Sequence, residues 1–335
     1  MGGDDASGAA DTSASGGSLP ALAVAGGISG LVSRFATHPM DTLKTQMQVQ
    51  GAVAGAAGGA RGAGAASLAR YRGVFDGIGK ILAREGPAGL YRGFGAVVTA
   101  APFASAAYFG GYETAKRLVP ESALGPSAAY LVSGMLAQSF AGVVYTPMDV
   151  VKERLQARVV LGAHGAGDYR DFLTAYRTIL AREGPRGLFR GYWASNFTWW
   201  PWSAVYFLAY EHGRDATARV LDVTDKEALP PWVSSACATA AAAAATAATH
   251  PLDLAKTRMQ TLRVRSEGAE SSAPGSAPRI SSRAGVFGVM RDVARREGVA
   301  ALTAGAGARV LAVAPGSAVS FFVYETIKGW LGTEE

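Results

Sequence analysis

HPMDTLKTQMQ at 38–48, TPMDVVKERLQ at 146–156 and HPLDLAKTRMQ at 250–260 share one reading, Pro-x-Asp-x-x-Lys-x-x-x-Gln. Their prolines, Pro39, Pro147 and Pro251, lie 108 and then 104 residues apart, so the chain is an internal repeat of about a hundred residues. A second pattern follows each copy: YRGVFDGIGKILAREGPAGLYRGF at 71–94, YRDFLTAYRTILAREGPRGLFRGY at 169–192, and a worn version, SSRAGVFGVMRDVARREGVAALTAG, at 281–305. The worn copy keeps Glu297, Gly298 and Gly305 but has Ala304 where the others carry Arg92 and Arg190. A third pattern closes each unit: YETAK at 112–116, YEHGR at 210–214 and YETIK at 324–328. The expected organisation is a disordered tail at 1–18 and repeats at 19–120, 126–220 and 229–333.

Composition bounds what such a unit can be. The chain is 49% hydrophobic and 17% charged, has 43 glycines, and its mean hydropathy is +0.14. A membrane bundle around a polar path has this moderate value, because lipid-facing stripes are apolar while inward faces carry charge; a large soluble helical-repeat protein is the lesser alternative. The net charge of +6 comes from scattered basic residues without a nucleic-acid motif, which excludes nucleic acid as an expected partner. A lone Cys237 excludes an internal disulfide and a zinc cysteine cluster. Residues 1–18 hold three aspartates and no Lys or Arg, unlike a transit or secretory peptide, and Ala6 misses the myristoylation pattern.

Each unit reads as a long helix, a polar loop, a short amphipathic helix and a second long helix, six long helices in all. The first runs from about Leu19 to Gln48, and its Gly26, Gly27 and Gly30, like Ala238 to Ala248 in the fifth, offer small faces for close helix approach. Low-complexity stretches at 50–68 and 264–282 read as flexible loops without chemistry. Pro39, Pro147 and Pro251 are expected to kink the odd-numbered helices.

Asp41 and Lys44, Asp149 and Lys152, and Asp253 and Lys256 each lie three residues apart, on one helix face. Charges at membrane depth cost about 2.5 to 3.5 kcal/mol each on insertion scales. Three identical inward pairs therefore favour pairing between helices over three local salt bridges, with each Asp meeting the Lys of the next unit. Gln48, Gln156 and Gln260 follow one turn later and are expected to floor that ring by hydrogen bonding its ion pairs. Glu113, Lys116, Glu211, Arg214, Glu325 and Lys328 can form a second ring at the far ends of the even-numbered helices, braced by Tyr112, Tyr210 and Tyr324. Two such rings suit an alternating-access gate, each breaking as the other forms. No Ser/His/Asp, Cys/His or paired-carboxylate site stands apart from them, which disfavours an enzyme.

Over roughly residues 18–333 these motifs resemble the mitochondrial carrier family. The resemblance implies an all-α membrane protein: six transmembrane helices in a pseudo-threefold bundle with three short amphipathic matrix helices, multi-pass in the inner mitochondrial membrane, both termini toward the intermembrane space. A plastid or peroxisome is the other possible organelle. It assigns the matrix gate to the Pro-x-Asp residues and their glutamines, and the cytoplasmic gate to the Tyr-Glu-x-x-basic residues. It places cardiolipin near Gly73, Gly93, Arg170, Gly191 and Gly305, at helix N-termini whose free amides suit phosphate. Cardiolipin is the structural lipid expected, no other cofactor and no metal being implied, and the expected state is a monomer.

The resemblance also locates a central substrate site at Ala100, Thr198 and Ala312, twelve residues before each Tyr of the Tyr-Glu motif. Their neutrality argues against a nucleotide. Arg34, five residues before Pro39, is a lone intramembrane cation and points to a carboxylate or phosphate. Arg309 is a further candidate, with a structural or coupling role as the alternative. Trp199 can wall the pocket or stack on a planar or cationic substrate; Trp200 and Trp202 read as packing residues, and Asn196, Gln138 and Ser139 as polar contacts. The expectation is transport of an amino acid or other carboxylate-bearing zwitterion. The alternatives are a carrier of S-adenosylmethionine or a nucleotide-like cofactor, an iron carrier using His38 and His250, and a proton-leak or scaffolding member. Braces on all three pairs of both rings would favour obligatory exchange.

Overall fold

A computed structural model describes residues 19–56, 71–119, 125–165, 171–223, 229–265, 279–281, 285–313 and 316. The expected tail at 1–18 lies outside them, as do Arg170, Tyr324, Glu325 and Lys328. The chain falls into two compact units, Met1–Thr37 with Pro315–Glu335, and His38–Ala314. In the first, Ser33 Oγ donates to the Gly316 carbonyl at 2.7 Å and Thr37 Oγ1 to the Ser33 carbonyl at 3.0 Å.

The order of elements repeats as the motifs do. Helix α1 (Leu19–Ala56) is followed by α2 (Val74–Glu85), a single turn α3 (Pro87–Leu90) and α4 (Phe94–Leu118). The second repeat has α5 (Pro126–Gly165), α6 (Phe172–Glu183), α7 (Pro185–Leu188) and α8 (Tyr192–Val220). The third has α9 (Pro231–Ala248), α10 (His250–Thr261), α11 (Val286–Glu297), a 3-10 turn at Val299–Thr303 and α12 at 306–313. Pro39 and Pro147 sit inside unbroken helices, whereas the helix of the third repeat is interrupted at Thr249, two residues before Pro251. Pro87 and Pro185 open their turns at the first helical position, where the missing N–H is no loss.

Two loop readings need correction. Residues 50–56 continue α1, because Ala is the best helix former and Ala52 is 9% exposed in the core. Arg263–Arg265 and Arg279–Ser281 form a two-stranded parallel ladder, with Val264 opposite Ile280, so among the described residues the regular structure is helical apart from this pair. Among the described residues one stretch, Pro87–Leu118, is long and apolar enough to cross a membrane by length and composition alone, and Trp232–Ala248 and Val299–Val313 are shorter apolar helices.

Three hydrophobic clusters hold the short helices against the motif helices. Ile81 of α2 packs with Leu43 and Val49 of α1; Ala175 and Ile179 of α6 with Val150, Val151 and Leu155 of α5; Val286, Val289 and Val293 of α11 with Leu254 and Ala255 of α10. On the short helices the buried positions, Gly77 and Ile81, Ala175 and Ile179, and Val286, Val289 and Val293, fall three or four residues apart, the period of one helix face. Phe75, Leu173 and Phe287 repeat at equivalent exposed positions, as amphipathic helices lying along a membrane surface require. The first cluster also takes Ala157, Val160, Leu262 and Ala308 from the other repeats, which ties the three together.

The second long helix of each repeat, α4, α8 and α12, begins at a left-handed glycine pressed against the motif segment of the next repeat. Gly93 (φ 82°) faces Lys152, Gly191 (φ 82°) faces Gln260, and Gly305 (φ 84°) faces Lys44 and Gln48. A Cβ on Gly191 would stand 2.9 Å from Gln260 Cγ, inside contact distance. Gly191→Ala is therefore expected to cost about 1–2 kcal/mol from backbone strain alone, whereas Gly79→Ala, in the open face of α2 with nothing within 4 Å, should gain about 0.5–1 kcal/mol from helix propensity. Thermal unfolding of the two variants checks the opposite signs.

Candidate functional site

The three Asp-x-x-Lys faces meet. Lys152 Nζ donates to Asp41 Oδ2 at 2.9 Å, Lys256 Nζ to Asp149 Oδ2 at 2.9 Å, and Lys44 Nζ lies 2.7 Å from Asp253 Oδ2. Every pair joins different repeats, and together they close a cycle through α1, α5 and α10. Helical spacing sets the six groups on inward faces, and the neighbouring helix offers each ammonium a carboxylate at contact distance.

The cycle is not symmetric in depth. The Asp253 side chain is 6% exposed, against 39% for Asp41 and 30% for Asp149. Asp253 also accepts from Gln48 Nε2 at 2.9 Å and lies 3.6 Å from Arg309 Nε. Arg309 thus sits at the ring, donating in addition to the Thr246 carbonyl at 3.2 Å, rather than at a central site. The expected polar floor is reduced to Gln48. Gln156 turns to Thr42 and Thr45, and among the described residues the Gln260 amide has no hydrogen-bond partner. A glutamine one turn below its lysine reaches an ion pair only where the next helix brings the carboxylate down to it.

Beneath the ring runs a second threefold set. Gln46 Nε2, Arg154 Nε and Arg258 Nε donate to the backbone carbonyls of Gln156, Gln260 and Gln48 at 3.1, 3.0 and 2.9 Å. Each guanidinium then grips the glutamate that ends its repeat's short helix. Arg154 meets Glu183 at 2.5 and 2.9 Å, and Arg258 meets Glu297, with one contact at 2.7 Å. In the first repeat Gln46 cannot form this pair. It accepts instead from the Tyr71 hydroxyl at 2.5 Å, while Glu85 pairs with Arg92 at 2.6 Å. Burial pushes the Tyr71 phenol up to about 12, so it stays a donor. Arg190, lowered by burial to about 10, remains charged at neutral pH and donates to the Leu262 carbonyl at 2.8 Å. Sequence reasoning passed over this layer, although Arg154 and Arg258 stand two residues after the motif lysines and Glu85, Glu183 and Glu297 all precede a glycine.

His38 Nε2 lies 3.1 Å from the Arg92 carbonyl and His250 Nε2 2.9 Å from the Ala304 carbonyl, equivalent contacts that engage each imidazole with the start of α4 or α12. At the other end of α4 and α8, Lys116 and Arg214 lie over the rings of Tyr112 and Tyr210, 5.8 and 5.4 Å from their centroids. Glu113 and Lys116 are exposed, and among the described residues neither forms an ion pair. Tyr324, Glu325 and Lys328 fall outside the described residues.

The central positions are less open than the sequence suggests. Ala100 is 2% and Thr198 3% exposed, and the Thr198 hydroxyl donates to the Ala194 carbonyl of its own helix at 2.8 Å. Ala312 is half-buried and Trp199 is 39% exposed, edge-on to Trp202 at 5.4 Å. Asn196 is buried within reach of Ser139 at 3.3 Å, and Gln138 is half-buried. Trp200 and Trp202 donate to the Met135 carbonyl and Thr246 Oγ1. In the first unit, Arg34 is exposed and its guanidinium makes no ion pair among the described residues.

Comparison with known proteins gives three successive matches to the mitochondrial carrier protein family model, at residues 16–123, 125–219 and 227–335. The chain is 29% identical to mitochondrial substrate carrier family protein E of Dictyostelium discoideum, over 90% of this chain and 93% of that one. It is 29% identical to mitochondrial citrate transporter C of Aspergillus niger, covering 92% and 89%. It is 30% identical to a mitochondrial adenyl nucleotide antiporter of Homo sapiens and to the chloroplastic protein mitoferrin-like 1 of Arabidopsis thaliana, spanning 59% and 66% of their lengths and 93% and 91% of its own. With a tripled motif, a ring of ion pairs that joins the three copies, and a family match to each, the chain belongs to the mitochondrial carrier family, whose members form six-helix membrane bundles and transport small metabolites rather than catalyse reactions.

Proposed function

We propose that this protein carries a small carboxylate-bearing metabolite, an amino acid or another zwitterion, across the mitochondrial inner membrane by alternating access. The observation that supports the cycle is the closed Asp–Lys ring at one end, while Glu113 and Lys116 at the other are exposed and form no ion pair among the described residues. Gates that hold alternately need this asymmetry, since substrate binding then offsets the loss of one ring before the other forms. A single glutamine brace on the closed ring makes it easier to open than three would.

Arg34 supports the substrate class. An exposed guanidinium on a membrane-spanning helix, without an acidic partner among the described residues, suits a carboxylate bidentately. Cardiolipin fits the starts of α2, α4 and α8, where Gly73, Gly93 and Gly191 provide no side-chain cap and leave first-turn amides for phosphate. The start of α6 fits it less well, because Asp171 already caps it by accepting from the Thr174 amide at 2.8 Å.

A thermal-shift screen of the purified carrier against amino acids, carboxylates, nucleotides, S-adenosylmethionine and metal ions tests the reading. A carboxylate-bearing ligand at a hundredfold excess over its dissociation constant should stabilise by about 2.7 kcal/mol, and Arg34→Ala should abolish that shift. A nucleotide or metal response, or a shift that survives the substitution, would reject the substrate class. A protein that responds to cardiolipin and to no metabolite would reject transport.

A further inference from the structure

Glu153 is a buried carboxyl that the ion-pair ring does not use. It follows Lys152 directly, is 6% exposed, and stands where the other repeats have Thr45 and Thr257. Lys44 from α1, Lys152 from its own helix, and Lys256 and Asp253 from α10 face it. Each of those lysines is committed to an aspartate, and among the described residues Glu153 forms no ion pair.

Its hydrogen bonding can be counted from a fixed end. The Leu90 carbonyl can only accept, so the one hydroxyl proton of Thr42 points at it, at 2.7 Å. Thr42 Oγ1 therefore accepts from Gln156 Nε2, at 3.0 Å. That orientation turns Gln156 Oε1 toward Thr45 Oγ1, 3.0 Å away, and the same hydroxyl lies 2.9 Å from Glu153 Oε2. The single hydroxyl proton of Thr45 can serve only one of these two acceptors. With an ionised carboxylate, one of the two contacts opposes acceptor to acceptor among residues 6% exposed or less. A carboxylic acid donates and completes the chain. Flipping the Gln156 amide moves the mismatch to Thr42 without removing it, because its proton is already on Leu90 and His38 Nε2 faces the Arg92 carbonyl at 3.1 Å.

We propose that Glu153 binds a proton while the ring is closed and releases it when the ring opens. Opening separates Thr45 on α1 from Glu153 on α5 and frees the lysines from their aspartates. The carboxyl O–H bond then breaks, the proton passes to water on the opened side, and the carboxylate remains beside an unpaired ammonium. A carrier that opens one end at a time would thereby take a proton as co-substrate. That last step rests on the transport reading; the protonation itself does not.

Infrared spectroscopy of the whole protein reconstituted in lipid at neutral pH tests both halves without a substrate, so failure of the ligand screen leaves this result independent. The wild type should show a carboxylic-acid C=O band that Glu153→Gln lacks and that Glu153→Asp shifts. Identical bands in the wild type and Glu153→Gln overturn the protonation, and should the glutamine variant fail to fold, an unshifted band in Glu153→Asp overturns it equally. Combining Asp149→Asn with Asp253→Asn frees Lys256 and Lys44, and the Glu153 band should then disappear. Its persistence overturns release on opening.

Discussion

Arg258→Ala is expected to lower stability by about 3–5 kcal/mol, the cost of breaking a buried ion pair from one side. The Arg258 side chain is 3% exposed, donates to the Gln48 carbonyl at 2.9 Å and forks onto Glu297, itself 12% exposed. Truncation strands a carboxylate and a carbonyl, and it separates α11 from α10 and the third repeat from the first. Arg258→Lys should recover little, because an ammonium cannot replace a planar fork that reaches two oxygens and a carbonyl at once. The equivalent Gln46→Ala provides the scale. It removes neutral hydrogen bonds worth about 1 kcal/mol each, so unfolding of the purified protein should separate the variants by a few kcal/mol. Equal losses would mean that the guanidinium–glutamate link contributes nothing beyond its neutral counterpart.

Asp253→Asn should open the ring more than any other single acid-to-amide change. The amide keeps the shape but leaves Lys44 at 2.7 Å and Arg309 at 3.6 Å facing each other without an anion. A loss of roughly 3 kcal/mol is expected for the ring-closed state. Asp41→Asn, at a carboxylate 39% exposed with one lysine partner, should cost about 1 kcal/mol or less. The difference of about 2 kcal/mol corresponds to roughly a thirtyfold shift between closed and open rings. Thr257 is fully buried and its hydroxyl has no partner among the described residues, so Thr257→Cys in a Cys237→Ser background reports opening by its rate of thiol labelling. Asp253→Asn should raise that rate about thirtyfold over Asp41→Asn. Adding Lys44→Gln to Asp253→Asn should recover part of the loss by removing one of the two unpaired cations.

The repeat, the motif helices and the inward face of each Asp-x-x-Lys were legible because they depend on spacing, and helical periodicity converts spacing into direction. The short amphipathic helices were legible for the same reason, with Ile81 and Ile179 recurring at equivalent places. The loops were misread where local composition is ambiguous. The Ala-rich run after Gln48 serves equally as linker or helix, and burial of Ala52 decided for the helix; the strand pair required Val264 and Ile280 to meet across a long connection.

By itself, the sequence determined which residues are charged, which helix faces they occupy and that they recur three times, since those properties follow from covalent order and helix geometry. Only the tertiary structure decided which aspartate each lysine meets, that Gln48 alone of the three glutamines reaches an ion pair, that Arg309 belongs to the ring, and that Glu153 lies beside Thr45. These are contacts between repeats about a hundred residues apart. Their energies depend on distance and burial at the junction, and no local pattern records either.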